Sequence, residues 1–167
     1  MTASEDNMPV EIERKFLVDR LPDLAGLEAA DVSQGYLTGA EDSVEIRLRK
    51  KIKASGTSLF MTLKSDGELA RREIEVAISE EQFGSFWPAT SGCRVEKTRY
   101  VGELEDGLRY ELDIFHGALK GLLLVEVEFA SRQAAKAFVA PDWFGKDVTG
   151  NKGYKNKALA VKGFPSG

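Results

Sequence analysis

Charged side chains recur at every second position in several segments of this sequence, and like charges share a segment. Glu11 and Glu13 form an acidic pair, with Lys15 two residues later, and Arg47 and Arg49 form a basic pair. Carboxylates are hard oxygen ligands that suit Mg²⁺ or Mn²⁺, and the arginine fork suits phosphate or carboxylate oxygens. Brought together, these groups would bind a metal–polyphosphate complex, in which the metal polarises a phosphoryl oxygen and lowers the pKa of an attacking water.

Eighteen charged residues follow this alternation, nine of them acidic and nine basic. Because successive side chains of a β-strand point to opposite faces, all eighteen can lie on one face of one sheet. The acidic residues are Glu11, Glu13, Glu45, Glu73, Glu75, Glu111, Asp113, Glu126 and Glu128, and the basic residues are Lys15, Arg47, Arg49, Lys51, Lys64, Arg71, Lys97, Arg99 and Arg109.

A polar sheet face that meets only water is the alternative explanation of this alternation. Such a face intersperses the two signs, whereas here like charges follow one another along single strands, as in Glu126 and Glu128. Residues two apart in a strand lie about 6.6 Å apart, so each pair repels itself unless an opposite charge lies between its members. We therefore favour a face that binds a highly charged ligand.

Strands with a period of two must carry these residues, and turn signals such as Asp106-Gly107 predict antiparallel neighbours. The predicted fold is mainly β (α+β), an eight-stranded antiparallel closed β-barrel or tunnel with a polar charged interior and a few outer helices. Helices are expected at 21–27, at 79–87 after a capping box of Ser79 and Gln82, at 131–138 after Ser131, and at 154–161. Strands are expected at 9–18, 32–38, 43–53, 58–65, 70–78, 93–102, 107–115 and 121–130.

The length of 167 residues and the net charge of −4 limit the possible classes of protein. We expect a flexible N-terminus at 1–8, a single domain at 9–162 and a flexible tail at 163–167. The acidic balance argues against a nucleic-acid partner, and no apolar run is long enough to span a membrane. No leader sequence is recognisable, so a cytoplasmic location is expected. With one cysteine and one histidine, an intrachain disulfide and a Cys- or His-rich metal site are excluded.

The order and spacing of seven charged motifs resemble those of the CYTH superfamily, the triphosphate tunnel metalloenzymes. The segment Glu11-Ile12-Glu13-Arg14-Lys15 is similar to the superfamily's N-terminal E-x-E-x-K signature. The tail from Val148 to Leu159 resembles the C-terminal segment, and the whole match spans residues 9 to 160. The other motifs are Arg47-x-Arg49, Thr62-x-Lys64, Arg71-x-Glu73-x-Glu75, Lys97-x-Arg99, Glu111-x-Asp113 and Glu126-x-Glu128.

This resemblance implies a tunnel that binds a triphosphate together with Mg²⁺ or Mn²⁺, and it implies roles for individual residues. It places the metal on Glu11, Glu13, Asp113, Glu126 and Glu128, and catalysis on Glu11, Glu13, Lys15 and Glu128. It places phosphates on Lys15, Arg47, Arg49, Lys64, Lys97 and Arg99. Arg71, Glu73, Glu75 and Glu111 are expected to orient these groups or to hold water. Many relatives carry Arg where this chain has Gly153, so Lys155 or Lys152 is expected to supply that charge.

Several reactions fit a site of this kind. Short chains that open with Glu-Ile-Glu-Arg-Lys-Phe resemble inorganic triphosphatases, so we expect hydrolysis of tripolyphosphate to diphosphate and phosphate. A class IV-type adenylate cyclase, a thiamine triphosphatase and a non-catalytic polyphosphate- or nucleotide-binding module are the alternatives. Tyr36 could stack on a base or hydrogen-bond a phosphate. A lipocalin-like carrier is disfavoured because an apolar ligand would leave the charges unpaired. The expected partner is a small-molecule triphosphate, and a monomer and a homodimer both remain open.

Overall fold

Nine antiparallel strands form one sheet in the computed structural model, which describes residues 12–39, 41–65 and 73–165. The strands are β1 (Ile12–Val18), β2 (Glu28–Tyr36), β3 (Val44–Lys53), β4 (Gly56–Ser65), β5 (Glu73–Ala77), β6 (Arg94–Glu103), β7 (Arg109–Phe115), β8 (Leu123–Phe129) and β9 (Phe144–Asp147). Their order across the sheet is β5-β4-β3-β2-β6-β7-β8-β1-β9. The predicted mainly β antiparallel fold is therefore confirmed.

The predicted closure of an eight-stranded barrel is not confirmed. Within the described ranges β5 and β9 are the two edges of the sheet, and no strand pairing joins them. A ninth strand, β9, pairs with the edge of β1 through Phe16–Asp147 and Val18–Phe144. The amide of Val148 then donates to the carbonyl oxygen of Lys15. These contacts occupy the edge of β1 that would otherwise be available to β5.

Three α-helices accompany the sheet: α1 (Glu80–Phe86), α2 (Arg132–Ala137) and α3 (Asn156–Lys162). Ser79 and Gln82 form the expected capping box of α1, and the Ser131 side chain caps α2. The expected helix at 21–27 is wrong, because the chain there turns through Gly26, whose φ is +77°. No helix in the described part of the chain is long and apolar enough to cross a membrane. The expected flexible residues 1–8 lie outside the described ranges.

Two apolar clusters lie on opposite faces of the sheet. One packs beneath α2 and β9 and includes Phe16, Val127 and Phe144. The other lies on the same face as the charged residues, where Leu159 of α3 packs with Tyr36 and other buried residues of the sheet. The C-terminal helix therefore packs directly beside the charged residues of the sheet.

Candidate active site on the charged face

The strand register places sixteen of the eighteen alternating charged residues on one face of the sheet, and the other two, Glu11 and Arg71, lie outside the described residues. Residues directly opposite each other in neighbouring strands share a face. Lys15 is opposite Glu126, which is opposite Glu111. The same reasoning links Arg99 and Asp113 on β6 and β7. We call this surface the charged face.

Arg47 and Arg49 carry buried donors without an acceptor. The Nη2 atom of Arg47 lies 3.8 Å from Glu73, and that of Arg49 lies 3.5 Å from Glu75, so both ion pairs are long. The Nε atoms of both arginines are buried and have no hydrogen-bond partner within the described ranges. Because a buried polar group without a partner is costly, these two N–H groups are suited to receive oxygens of a bound anion.

The electrostatics of β3 also favour an anion. Burial, together with the nearby charge of Arg47, lowers the pKa of Arg49. Burial and the charges of Lys53 and Arg49 lower the pKa of Lys51. Neither Lys51 nor Lys64 on β4 makes an ion pair with any residue in the described segments. Positive charge is therefore concentrated on this part of the charged face, beyond what its own carboxylates neutralise.

Lys97, Arg99 and Asp113 form a buried cluster. The Nζ atom of Lys97 lies 2.8 Å from the Asp113 carboxylate, and these side chains are only 2% and 5% exposed. Arg99 donates to both Asp113 oxygens, at 2.8 and 2.9 Å, and its third nitrogen lies 2.7 Å from Glu111. Asp113, expected as a metal ligand, therefore holds two cations here, and its role as a ligand stays a prediction.

The pKa values in this cluster follow from burial and close pairing. Burial alone would raise the pKa of Asp113, but Lys97 and Arg99 hold it at about 2. Burial also lowers the pKa of Arg99, but its hydrogen bonds to Asp113 and the charge of that carboxylate raise it above its ordinary value. For Lys97, burial outweighs the charge of Asp113, so the pKa is lowered. The cluster is a tightly coupled unit in which each charge requires the others.

Carboxylates gather where β1, β8 and β7 meet. Glu13 lies directly opposite Glu128, and Glu126 lies directly opposite Glu111. Like charges in such positions repel each other unless a cation lies between them. Lys15 provides one cation, since its Nζ atom lies 3.1 Å from Glu126. A cleft of about 20 Å³, which has room for one water-sized species, is lined by Glu111, Glu126, Glu128 and Arg109.

This carboxylate set fits a hard divalent cation only in part. The donors are oxygens of the type that Mg²⁺ and Mn²⁺ prefer. Yet no group of three or more His, Cys, Asp or Glu side chains in the described segments is already placed to hold a metal ion by itself. The remaining ligands would have to come from Glu11, which is not described, from water or from phosphate oxygens.

The C-terminal segment contacts the charged face at three points. The carbonyl oxygen of Tyr154 accepts a hydrogen bond from Lys15 at 3.0 Å, and the Asn156 side chain accepts one from Lys97 at 3.0 Å. Lys157 lies 3.8 Å from Glu45. Neither Asn156 nor Lys157 was among the predicted site residues. The spacing of Asn156 with the buried residues Leu159 and Ala160 was an available signal, because i, i+3 and i+4 share one helix face.

Lys155 and Tyr36, two residues singled out in the sequence, have different surroundings. Lys155 is exposed and lines a cavity of about 340 Å³ together with Glu13, Lys15 and other residues. Tyr36 is only 3% exposed, its hydroxyl accepts a hydrogen bond from Gln34 at 2.7 Å, and burial raises its pKa to about 12. The Tyr36 ring is therefore packed in the apolar cluster and is not presented to a base.

Comparison with known proteins shows close relatives over nearly the whole chain. An inorganic triphosphatase of Nitrosomonas europaea is 58% identical over 151 residues, covering 90% of this chain and 97% of the relative. An inorganic triphosphatase of Acetivibrio thermocellus is 32% identical over 159 residues, covering 91% and 94%. The crystal structure of the inorganic triphosphatase NE1496 is 54% identical with a TM-score of 0.79, covering 95% of this chain and 99% of that one. No protein-family model matches the chain.

Proposed function

The chain belongs to the inorganic triphosphatases of the CYTH superfamily, and we propose that it hydrolyses inorganic tripolyphosphate to diphosphate and phosphate on its charged face. The relatives named inorganic triphosphatase support the hydrolysis of a phosphoanhydride bond. The substrate and the residues that act on it are our proposal.

The buried, unpartnered Nε atoms of Arg47 and Arg49 carry this proposal. Two such donors on one strand, on the same face of the sheet, match an extended chain of phosphate groups better than a single anion. Lys64, which makes no ion pair within the described ranges, lies on the neighbouring strand and supplies further positive charge. These three residues would bind the phosphates and orient the terminal phosphorus toward the carboxylates.

The buried cluster of Lys97, Arg99 and Asp113 would act mainly by positioning the carboxylate of Glu111. The Lys97 ammonium is already held by Asp113 and Asn156, so it contributes charge without direct access to solvent. Arg99 is tied to Asp113 and Glu111 by three nitrogens. This cluster fixes the carboxylate of Glu111 beside Glu126, where β7 and β8 are in register.

A divalent metal, Mg²⁺ or Mn²⁺, would be held by Glu13, Glu126 and Glu128, with Glu11 and substrate oxygens completing its ligands. When bound, such a metal supplies charge neutralisation at a phosphoryl oxygen and lowers the pKa of a water. The protein's own contribution is to hold the carboxylates opposite one another and to place Lys15 beside them, so that the terminal phosphate is positioned and its developing charge is neutralised.

We propose a closed tunnel only for the enzyme with triphosphate bound. The chemistry requires that phosphate-binding and carboxylate residues face a common space. The C-terminal segment supports this arrangement, because it contacts Lys15 on β1 as well as Glu45 on β3. Contacts of this kind connect the two halves of the charged face without pairing β5 to β9.

Phosphate release from three substrates tests the proposal. The full chain is incubated in parallel with tripolyphosphate, ATP and thiamine triphosphate, each with Mg²⁺, with Mn²⁺ or with EDTA. We expect metal-dependent turnover that is fastest on tripolyphosphate. Faster turnover of ATP or thiamine triphosphate would refute the proposed substrate, and full activity in EDTA would refute the proposed metal. Cyclic AMP in the ATP sample would indicate a cyclase instead.

A further inference from the structure

The side chain of Asn156 lies where the C-terminal segment meets a deeply buried cation of the charged face. Asn156 is the first residue of α3, and its Oδ1 atom accepts a hydrogen bond from the Lys97 Nζ atom at 3.0 Å. The Lys97 side chain is 2% exposed. Because so little of it meets water, the ammonium depends on protein oxygens for its hydrogen bonds.

Two side-chain oxygens hold the Lys97 ammonium within the described part of the chain. They are Oδ2 of Asp113 at 2.8 Å and Oδ1 of Asn156 at 3.0 Å. The Phe115 ring, whose centroid lies 5.3 Å from the Nζ atom, covers another side of the group. An ammonium has three N–H donors, so the loss of the Asn156 oxygen would leave Asp113 as its one acceptor among these two.

A second carboxylate, that of Glu126, also acts on Lys97. Burial lowers the pKa of Lys97, and the charges of Asp113 and Glu126 oppose this effect. Glu126 already lies 3.1 Å from the Nζ atom of Lys15. Without Asn156, the Lys97 ammonium would be drawn toward Glu126, which would then be bound by two lysines. Asn156 therefore keeps Lys97 on Asp113 and leaves Glu126 with a single lysine.

Asn156 is itself held firmly in place by the residues on either side of it. Leu159, three residues later on α3, is 1% exposed and packs in the apolar cluster that also contains Tyr36 and Phe115. On the other side, the carbonyl oxygen of Tyr154 accepts a hydrogen bond from Lys15. A side chain on an anchored element has a defined position, so Asn156 can determine where Lys97 lies.

We infer that Asn156 is a positioning residue for the hydrolysis, because its amide oxygen holds the Lys97 ammonium against Asp113 and away from Glu126. This inference rests on the proposed function, in which Glu126 is one of the reacting carboxylates. Asn156 acts through Lys97, whereas the phosphates are bound by other residues, among them Arg47 and Arg49. Its loss should therefore lower kcat and leave KM for tripolyphosphate nearly unchanged.

Two substitutions of Asn156 separate its acceptor oxygen from the rest of the side chain. Asn156→Leu keeps the approximate size and removes the acceptor, whereas Asn156→Asp keeps an oxygen at the same position. Gln133→Leu, the same amide-to-leucine change at an exposed position of α2, is the matched control. With Mg²⁺ and tripolyphosphate, we expect kcat to fall about 10- to 100-fold in Asn156→Leu, with KM within about threefold of the unmodified value. Asn156→Asp should keep most of kcat, and Gln133→Leu should match the unmodified chain.

¹⁵N NMR of the lysine ammonium groups tests the positioning without the reaction. Protons of a buried, hydrogen-bonded group exchange slowly with water, so Lys97 should give a signal that Lys97→Met lacks. We expect this signal in the unmodified chain and in Asn156→Asp, and we expect Asn156→Leu to lose or shift it.

Three results would overturn the inference. They are a kcat of Asn156→Leu equal to that of the unmodified chain, a kcat of Asn156→Asp as low as that of Asn156→Leu, and a Lys97 signal that Asn156→Leu leaves unchanged. Loss of that signal in Asn156→Leu, with no hydrolysis by the unmodified chain, would refute the proposed function alone. If Asn156→Leu does not fold, Asn156→Ser, whose oxygen lies closer to the backbone, replaces it in both measurements.

Discussion

Replacement of Arg49 by lysine separates the two contributions that this residue makes to anion binding. Lysine keeps the positive charge but has no Nε–H group, and that group is buried and unpartnered in Arg49. If it donates to a phosphate oxygen, its loss removes a charged hydrogen bond of about 1.5–3 kcal/mol, which weakens binding roughly 10- to 150-fold. We expect this loss as a rise in KM for tripolyphosphate with a smaller change in kcat.

The stability of the fold should hardly change in the same variant. In the free protein the ion pair that the Arg49 side chain makes among the described residues, with Glu75, is 3.5 Å long, so Arg49→Lys should change the free energy of unfolding by less than about 1 kcal/mol. Lys50→Arg is the matched control, because Lys50 neighbours Arg49 but points to the opposite face. Steady-state phosphate release and urea unfolding measure both quantities. An unchanged KM in Arg49→Lys, or an equal rise in Lys50→Arg, would show that the Nε–H group of Arg49 does not bind the substrate.

Further predictions concern buried charges. Asp113→Asn should lower the free energy of unfolding by about 3–5 kcal/mol in urea, because Lys97 is left buried without its carboxylate; a loss below about 1 kcal/mol would contradict this. Since the folded pKa of Asp113 is about 2 against an ordinary 3.8, its contribution of about 2 kcal/mol is present above pH 3.8 and is lost as the pH falls through 2. A carboxyl ¹³C titration of Asp113 with a midpoint near 4 would exclude that shift. Arg14→Met should lower the free energy of unfolding by about 2 kcal/mol and Tm by about 4–8 °C, because Arg14 donates to the carbonyl oxygens of Ala135 and Phe138 at 2.9 and 3.2 Å. An unchanged Tm would show that these hydrogen bonds do not contribute to stability.

The strands were predictable because alternation with a period of two is a strong local signal. Each predicted strand has a counterpart in the sheet, and the register places the described alternating charges on one face, as the sequence indicated. The capping box of α1 was equally local, since Ser79 and Gln82 are three residues apart. Features that depend only on residues close together in the sequence were therefore predictable from it.

Features that depend on contacts between residues far apart in the sequence could not be predicted. β9 has four residues and exists because Phe144 and Asp147 pair with β1. The expected helix at 21–27 has suitable apolar residues, but Leu24 and Leu27 pack against the cluster beneath α2 instead. In the site, the bonds of Asp113 to Lys97 and Arg99 depend on the register of β6 and β7, which the sequence does not specify.

We propose that carboxylates on the charged face are required for the hydrolysis of tripolyphosphate. ³¹P NMR of tripolyphosphate with Mg²⁺ tests it most directly, using the unmodified chain, Glu13→Gln and Glu128→Gln. We predict equimolar diphosphate and phosphate from the unmodified chain. We predict no turnover by either variant, with Tm nearly unchanged because both carboxylates are exposed. Near-normal hydrolysis by both variants would show that these carboxylates are not required.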